Sequence, residues 1–131
     1  MFSFILLLWI AQAVPALADT VRLNWDVDWV PVAPDGIVRP AVGVNGQWPC
    51  PPIYVNIGDR VLLNVNNHLG NETTSIHFHG IFQTGSTQMD GPAFVTQCPI
   101  PPGGCESALL HFESNTNRLI AFTYDFTVCT I

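Results

Sequence analysis

Along residues 21–29, Val21, Leu23, Trp25, Val27 and Trp29 alternate with Arg22, Asn24, Asp26 and Asp28. Side chains on a strand point to opposite faces in turn, so a strict period of two predicts a half-buried strand with an apolar face and a polar face. The same period returns in Ile53, Val55 and Ile57, in Val61, Leu63 and Val65, in Ala108, Leu110 and Phe112, and in Phe122, Tyr124, Phe126 and Val128. No stretch of useful length shows the 3.6-residue period of a helix. Eleven prolines and ten glycines punctuate the runs, and Pro34-Asp35-Gly36 and Asn45-Gly46 carry turn chemistry. Ile37 to Val44, broken by Pro40 and Gly43, reads as an edge strand or extended loop. Residues 66–71 read as a loop, 93–95 as a short strand. Many short strands in 131 residues predict one all-β sandwich or barrel domain.

The charge balance narrows the partners. Four arginines and no lysine face ten acidic residues, a formal net charge of −6. Nucleic acids and anionic membranes need basic patches, so neither is an expected partner. Residues 1–18 have the form of a secretory signal: Phe2 to Ile10 make a short apolar core and Ala16-Leu17-Ala18 an A-x-A cleavage site. The apolar core is short for a membrane span. The expectation is cleavage after Ala18, a mature domain over 19–131, and a place outside the cell or on the outer face of the plasma membrane. Secretion permits disulfides. Cys50, Cys98, Cys105 and Cys129 allow three complete pairings, and no spacing chooses among them. Asn71-Glu72-Thr73 is a glycosylation sequon beside the Leu69-Gly70 turn signal, which marks Asn71 as a surface acceptor.

The chemistry-bearing stretch is Ser75-Ile76-His77-Phe78-His79-Gly80. Its β-branched and aromatic residues predict a strand. His77 and His79 then share one face, roughly 6.6 Å apart. Imidazole suits copper, zinc, iron and nickel, so the pair is a candidate metal edge. The alternative is two histidines with no metal.

Five blocks in order carry a resemblance: Val44-Asn45-Gly46-Gln47-Trp48-Pro49-Cys50-Pro51, Val55-Asn56-Ile57-Gly58-Asp59, His77-Phe78-His79-Gly80, Met89-Asp90-Gly91-Pro92 and Thr96-Gln97-Cys98-Pro99-Ile100. Together they resemble the N-terminal plastocyanin-like domain of the multicopper oxidases, over about 21–103 and again at 122–128. The resemblance implies a cupredoxin-like Greek-key sandwich, incomplete at its C-terminus. It implies copper as cofactor, with His77 on the type 2 copper and His79 on a type 3 copper of a trinuclear cluster that reduces O2 to water. Asp90 resembles the family acid that orients copper-bound water and helps deliver protons. Cys98 resembles a cysteine that bridges to the C-terminal part of the oxidase, and Cys50 is the other disulfide candidate. Gln47 to Pro51 and the Phe between the histidines resemble fungal iron-transport ferroxidases; laccases are the second choice. The substrate implied is ferrous iron, or else a phenol. Second and third cupredoxin domains and an iron permease are the implied partners.

Two departures qualify this. The family continues past Val128 into an H-S-H motif, whereas this chain reads Cys129-Thr130-Ile131. Residues 105–121 are surplus to the family pattern and allow an extra strand or a long connection; translated non-coding sequence is the expectation. The chain alone is therefore expected to be inactive. The competing reading is a secreted cupredoxin-like binding module without oxidase activity. A blue-copper carrier needs a His2Cys set, and no histidine follows Cys129.

Overall fold

The computed structural model describes residues 19–56, 58–78, 80, 82–111, 120–122 and 126–130. The strands are β1 (Thr20–Val32), β2 (Arg39–Val44), β3 (Ile53–Val55), β4 (Arg60–Asn67), β5 (Thr74–Phe78), β6 (Cys105–His111), β7 (Ile120–Phe122) and β8 (Phe126–Thr130). A 3-10 turn spans Thr87–Met89. One mixed sheet runs β2-β1-β4-β6; β3 pairs with β7, and β5 with β8. β1 and β4 are parallel and the other pairs antiparallel. No helix among the described residues is long and apolar enough to cross a membrane.

The period-2 runs supply the core. Trp25 and Val27 of β1, Ile53 and Val55 of β3, Val61, Leu63 and Val65 of β4, and Ile76 and Phe78 of β5 are buried in one cluster with Val44, Leu69 and Ile100. Fully burying a side chain of this size contributes roughly 1.5–3 kcal/mol. The polar face is also ordered. Asn64 Nδ2 donates to Asn24 Oδ1 at 2.9 Å and Asn66 Nδ2 to Asp26 Oδ1 at 2.8 Å, cross-strand pairs on the outer face of β1 and β4.

Four local expectations change. The alternation of β1 slips after Asp28: Trp29 is 43% exposed and Val30 takes the buried position. The Trp29 indole N–H instead donates to the Leu69 carbonyl at 3.2 Å. Asn66 and Asn67 belong to β4 rather than to a loop. Residues 93–95 form no strand, only an isolated bridge between Ala93 and Gln97, because Phe94 stands at a φ of 63°, outside the extended region. The single run expected over 122–128 ends one strand, β7, and begins another, β8.

The segment set apart as surplus contains β6, which pairs with β4 from Arg60↔His111 to Asn66↔Cys105. Gln97 Nε2 donates to Glu106 Oε2 at 2.9 Å, joining β6 to the 96–100 block. Burial pushes the Glu106 carboxyl up from its ordinary value. At the two-residue turn after β2, Asn45 and Gly46 have φ of 51° and 72°, and Val44 and Gln47 exchange both backbone hydrogen bonds at 3.0 Å. This is the twist-matched hairpin turn that Asn-Gly favours.

Asp59 anchors the start of β1. Its Oδ1 accepts the Asp19 N–H at 3.0 Å, and its Oδ2 accepts the Asn56 backbone N–H at 2.8 Å and side-chain amide at 3.3 Å. The Asp19 and Asn56 amides hold its carboxyl below the ordinary value. The contribution to stability is thus complete above the unfolded carboxylate pKa of about 4 and lost as pH falls through the lower folded value. Acid titration of folding is expected to lose part of its slope below about pH 4 in Asp59→Asn. An unchanged slope would remove Asp59 from the account.

Candidate metal site

β5 presents the histidine. Ile76 and Phe78 face the core, so His77, between them, projects from the opposite face with its side chain 25% exposed. One edge of β5 pairs with β8, with Ile76 opposite Val128 and His77 opposite Thr127. The residue 90–100 segment also closes on the strand. Thr74 and Ile100 exchange backbone hydrogen bonds of 3.1 and 2.7 Å, and the Phe78 N–H donates to the Asp90 carbonyl at 3.4 Å. The histidine strand is therefore held on both sides.

Asp90 meets His77 through its backbone. The Asp90 carbonyl oxygen lies 2.7 Å from His77 Nδ1. A carbonyl only accepts, so Nδ1 carries the proton and the lone pair of the neutral ring falls on Nε2. This is how a metal-binding imidazole is usually oriented by its surroundings. The Asp90 carboxylate Oδ1 is farther, at 3.5 Å, with its side chain 30% exposed. The family resemblance implies a role for the Asp90 acid group; the closer contact to His77 comes from its main chain.

Gly91 makes that contact possible. Its φ is +97°, and a Cβ there would stand 1.8 Å from the Ile76 carbonyl oxygen and 2.9 Å from the His77 Cα. Only glycine lets the backbone lie this close to β5. The preceding 3-10 turn is capped by Asp90, whose N–H donates to the Thr87 carbonyl at 3.3 Å. Behind it Ser86 and Gln83 are buried, and the Ser86 hydroxyl donates to Gln83 Oε1 at 3.1 Å.

A second fixture lies at the entry to β5. Asn67 is fully buried. Its amide donates to the Glu72 carbonyl at 2.8 Å and the Ile100 carbonyl at 3.0 Å, and its Oδ1 accepts the Leu69 N–H at 3.0 Å. One side chain thus ties the 68–73 loop, which carries Asn71, to the segment beside β5. Nothing in an Asn-Asn pair separates this role from that of a loop residue.

The other expected site residues fall as follows. His79 lies outside the described residues. Asn71 is exposed. His68 sits on the surface, 3.5 Å from Asp26 Oδ1. Cys50, Cys98 and Cys105 are free thiols. Cys50 and Cys98, the disulfide candidates, form no bridge with each other or with Cys105; Cys50 is half-buried, and burial pushes its thiol up. Among the described residues no three His, Cys, Asp or Glu side chains converge on a metal position. His77, with its tautomer fixed, fits a copper ligand by donor type.

The β fold is of the cupredoxin type shared by solved multicopper oxidases, and it holds the His77 imidazole on β5, between β8 and the 90–100 segment. The sequence profile of the multicopper oxidases matches residues 26–118, a span that enters the 105–121 segment. The iron-transport multicopper oxidase fetC of Epichloe festucae is 46% identical over 114 residues, 86% of this chain and 16% of the relative. Laccase-2 of Agaricus bisporus is 43% identical over 116 residues, 86% of this chain and 19% of the relative. The crystal structure of Fet3p, a multicopper oxidase that functions in iron import, superposes with a TM-score of 0.69 at 44% identity, over 73% of this chain and 18% of that one. The chain belongs to the multicopper oxidase family. It spans under a fifth of the length of these relatives. Membership implies copper binding.

Proposed function

We propose that this chain is the N-terminal copper-ligand domain of a secreted ferroxidase-type multicopper oxidase. In this reading His77 holds the type 2 copper and His79 a type 3 copper of a trinuclear cluster. Copper would supply one-electron chemistry and O2 reduction. The chain's own share is to orient His77 through the Asp90 carbonyl and to place the Asp90 carboxylate where protons are delivered. The observation that supports the proposal is the 2.7 Å contact between His77 Nδ1 and the Asp90 carbonyl, which puts the ring's lone pair on Nε2, the atom a metal would take. Ferrous iron is preferred to a phenol because Gln47 to Pro51 and Phe78 follow the iron-transport pattern.

Further domains of the oxidase are the proposed neighbours. Phe82, Phe94 and Val95, on either side of Asp90 in the chain, are 82%, 74% and 80% exposed, which suits surfaces covered by another domain. Cys98, exposed and free, is the candidate for a bridge to such a domain. An iron permease at the cell surface and a glycan on Asn71 complete the proposal.

Copper titration tests the ligand assignment. The 131-residue chain is expected to take up copper with nitrogen hyperfine structure in its spin-resonance spectrum. His77→Ala is expected to weaken uptake at least tenfold, a loss of about 1.4 kcal/mol. Equal, weak uptake by both proteins would favour a secreted domain whose histidines hold no metal. The cluster of the family takes four H-x-H pairs, and this sequence has four histidines in all. Oxygen electrodes are therefore expected to record no uptake by the isolated chain with ferrous iron or phenols; measurable turnover would overturn the assignment.

A further inference from the structure

We infer that the chain is cut between Ala18 and Asp19, and that the α-ammonium released on Asp19 docks on the Asp59 carboxylate and seats β1 against β4. The inference rests on the proposed secretion and deepens it. Ala16-Leu17-Ala18 has the small residues a leader peptidase accepts before its cut. Hydrolysis there consumes one water, leaves a carboxylate on Ala18 and frees an amine on Asp19, which is largely protonated at neutral pH.

The structure holds a place for that cation. Asp19 N lies 3.0 Å from Asp59 Oδ1. The other carboxylate oxygen is held by the Asn56 backbone N–H and side-chain amide, so the carboxylate is fixed before the amine arrives. The Arg60 N–H donates to the Asp19 carbonyl at 2.8 Å, and the Thr20 N–H to Asp19 Oδ1 at 2.7 Å. β1 begins at the next residue, with Thr20 opposite Arg60 in the parallel ladder. A cut after Ala18 therefore leaves no tail ahead of the sheet. A neutral amide gives Asp59 one hydrogen bond at this oxygen, whereas an ammonium gives a charge-assisted one. Parallel pairing lacks a hairpin to set its register, and the ion pair would set it at the first residue.

The composition makes this measurable. With no lysine in the sequence, the α-amine is the only primary amine in the protein. The whole 131-residue chain is expressed through the secretory pathway of a eukaryotic host. Intact mass of the secreted protein is expected to show loss of residues 1–18. Acylation of its amine by a reactive ester at pH 7 is then expected to run roughly tenfold slower than in the denatured protein, the effect of a one-unit rise in the amine pKa. Asp59→Asn is expected to restore most of the rate. Inserting one glycine before Asp19, which keeps Asp59 and the strand, is expected to do the same. Retention of residues 1–18 in the cells would sink the leader reading and the docking with it. A secreted chain starting elsewhere, or an amine equally reactive in native and denatured protein, would overturn the docking alone.

Discussion

Gly91→Ala is expected to destabilise the fold by about 3–4 kcal/mol, at the upper end of single substitutions, and to weaken copper uptake beyond what stability explains. Two effects add. Alanine at a φ of +97° is strained, and its Cβ would overlap the Ile76 carbonyl oxygen at 1.8 Å. Neither partner is a flexible side-chain end. Relief comes only by lifting residues 90–92 from β5, which withdraws the Asp90 carbonyl from His77. The measurement is paired: denaturant unfolding for stability, and copper titration in denaturant-free buffer for the ligand. Asp90→Asn keeps the carbonyl and removes the charge. It is expected to leave His77 orientation and copper uptake nearly intact. If Gly91→Ala unfolds at the same denaturant concentration as the parent, the close approach of these backbones is not a determinant of the fold.

The second large effect is at Asn67. Asn67→Leu keeps the volume and removes two donors and an acceptor from a fully buried position. The Ile100 carbonyl retains the Thr74 N–H. The Glu72 carbonyl and Leu69 N–H lose this partner. Each such loss costs about 1–3 kcal/mol, so a total near 3 kcal/mol is expected. Asn67→Asp is expected to be worse, because a carboxylate would face two carbonyl oxygens. Hydrogen exchange would locate the damage, with faster exchange expected in the 68–74 segment and little change in β1. Uniform acceleration across the sheet would point to a general loss of core instead.

These two positions show what can be read from a chain like this one. The strand bearing His77 is legible because β-branched and aromatic residues surround the histidines, and such residues favour a pleated, half-buried strand. The order of the motif blocks made the cupredoxin sandwich legible. The exposure of Trp29 is not legible, because a period of two cannot announce its own interruption after Asp28. Asn67 looks like a loop residue in the sequence because polarity usually marks a surface, and only long-range partners reveal a buried, satisfied amide. The Asp90 carbonyl was invisible for a deeper reason: every residue has one, so no residue type marks the one that matters. Gly91 alone hinted at it, as a glycine beside a candidate acid.

β5 is held by segments far from it in sequence, Ile100 on one side and β8 at residues 126–130 on the other. Its neighbour sheet rests on a parallel pair whose residues lie 40 positions apart, from Thr20↔Arg60 to Val27↔Asn67. Contacts of such long range form slowly, because loop closure must precede the interactions that reward it. The histidine strand is thus the place where late-made segments meet. Synthesis from the N-terminus delivers His77 about fifty residues before the partner strand that fixes it. Metal loading at this position would accordingly follow the completion of folding, and a chaperone delivering copper to the growing chain would find no geometry to fill.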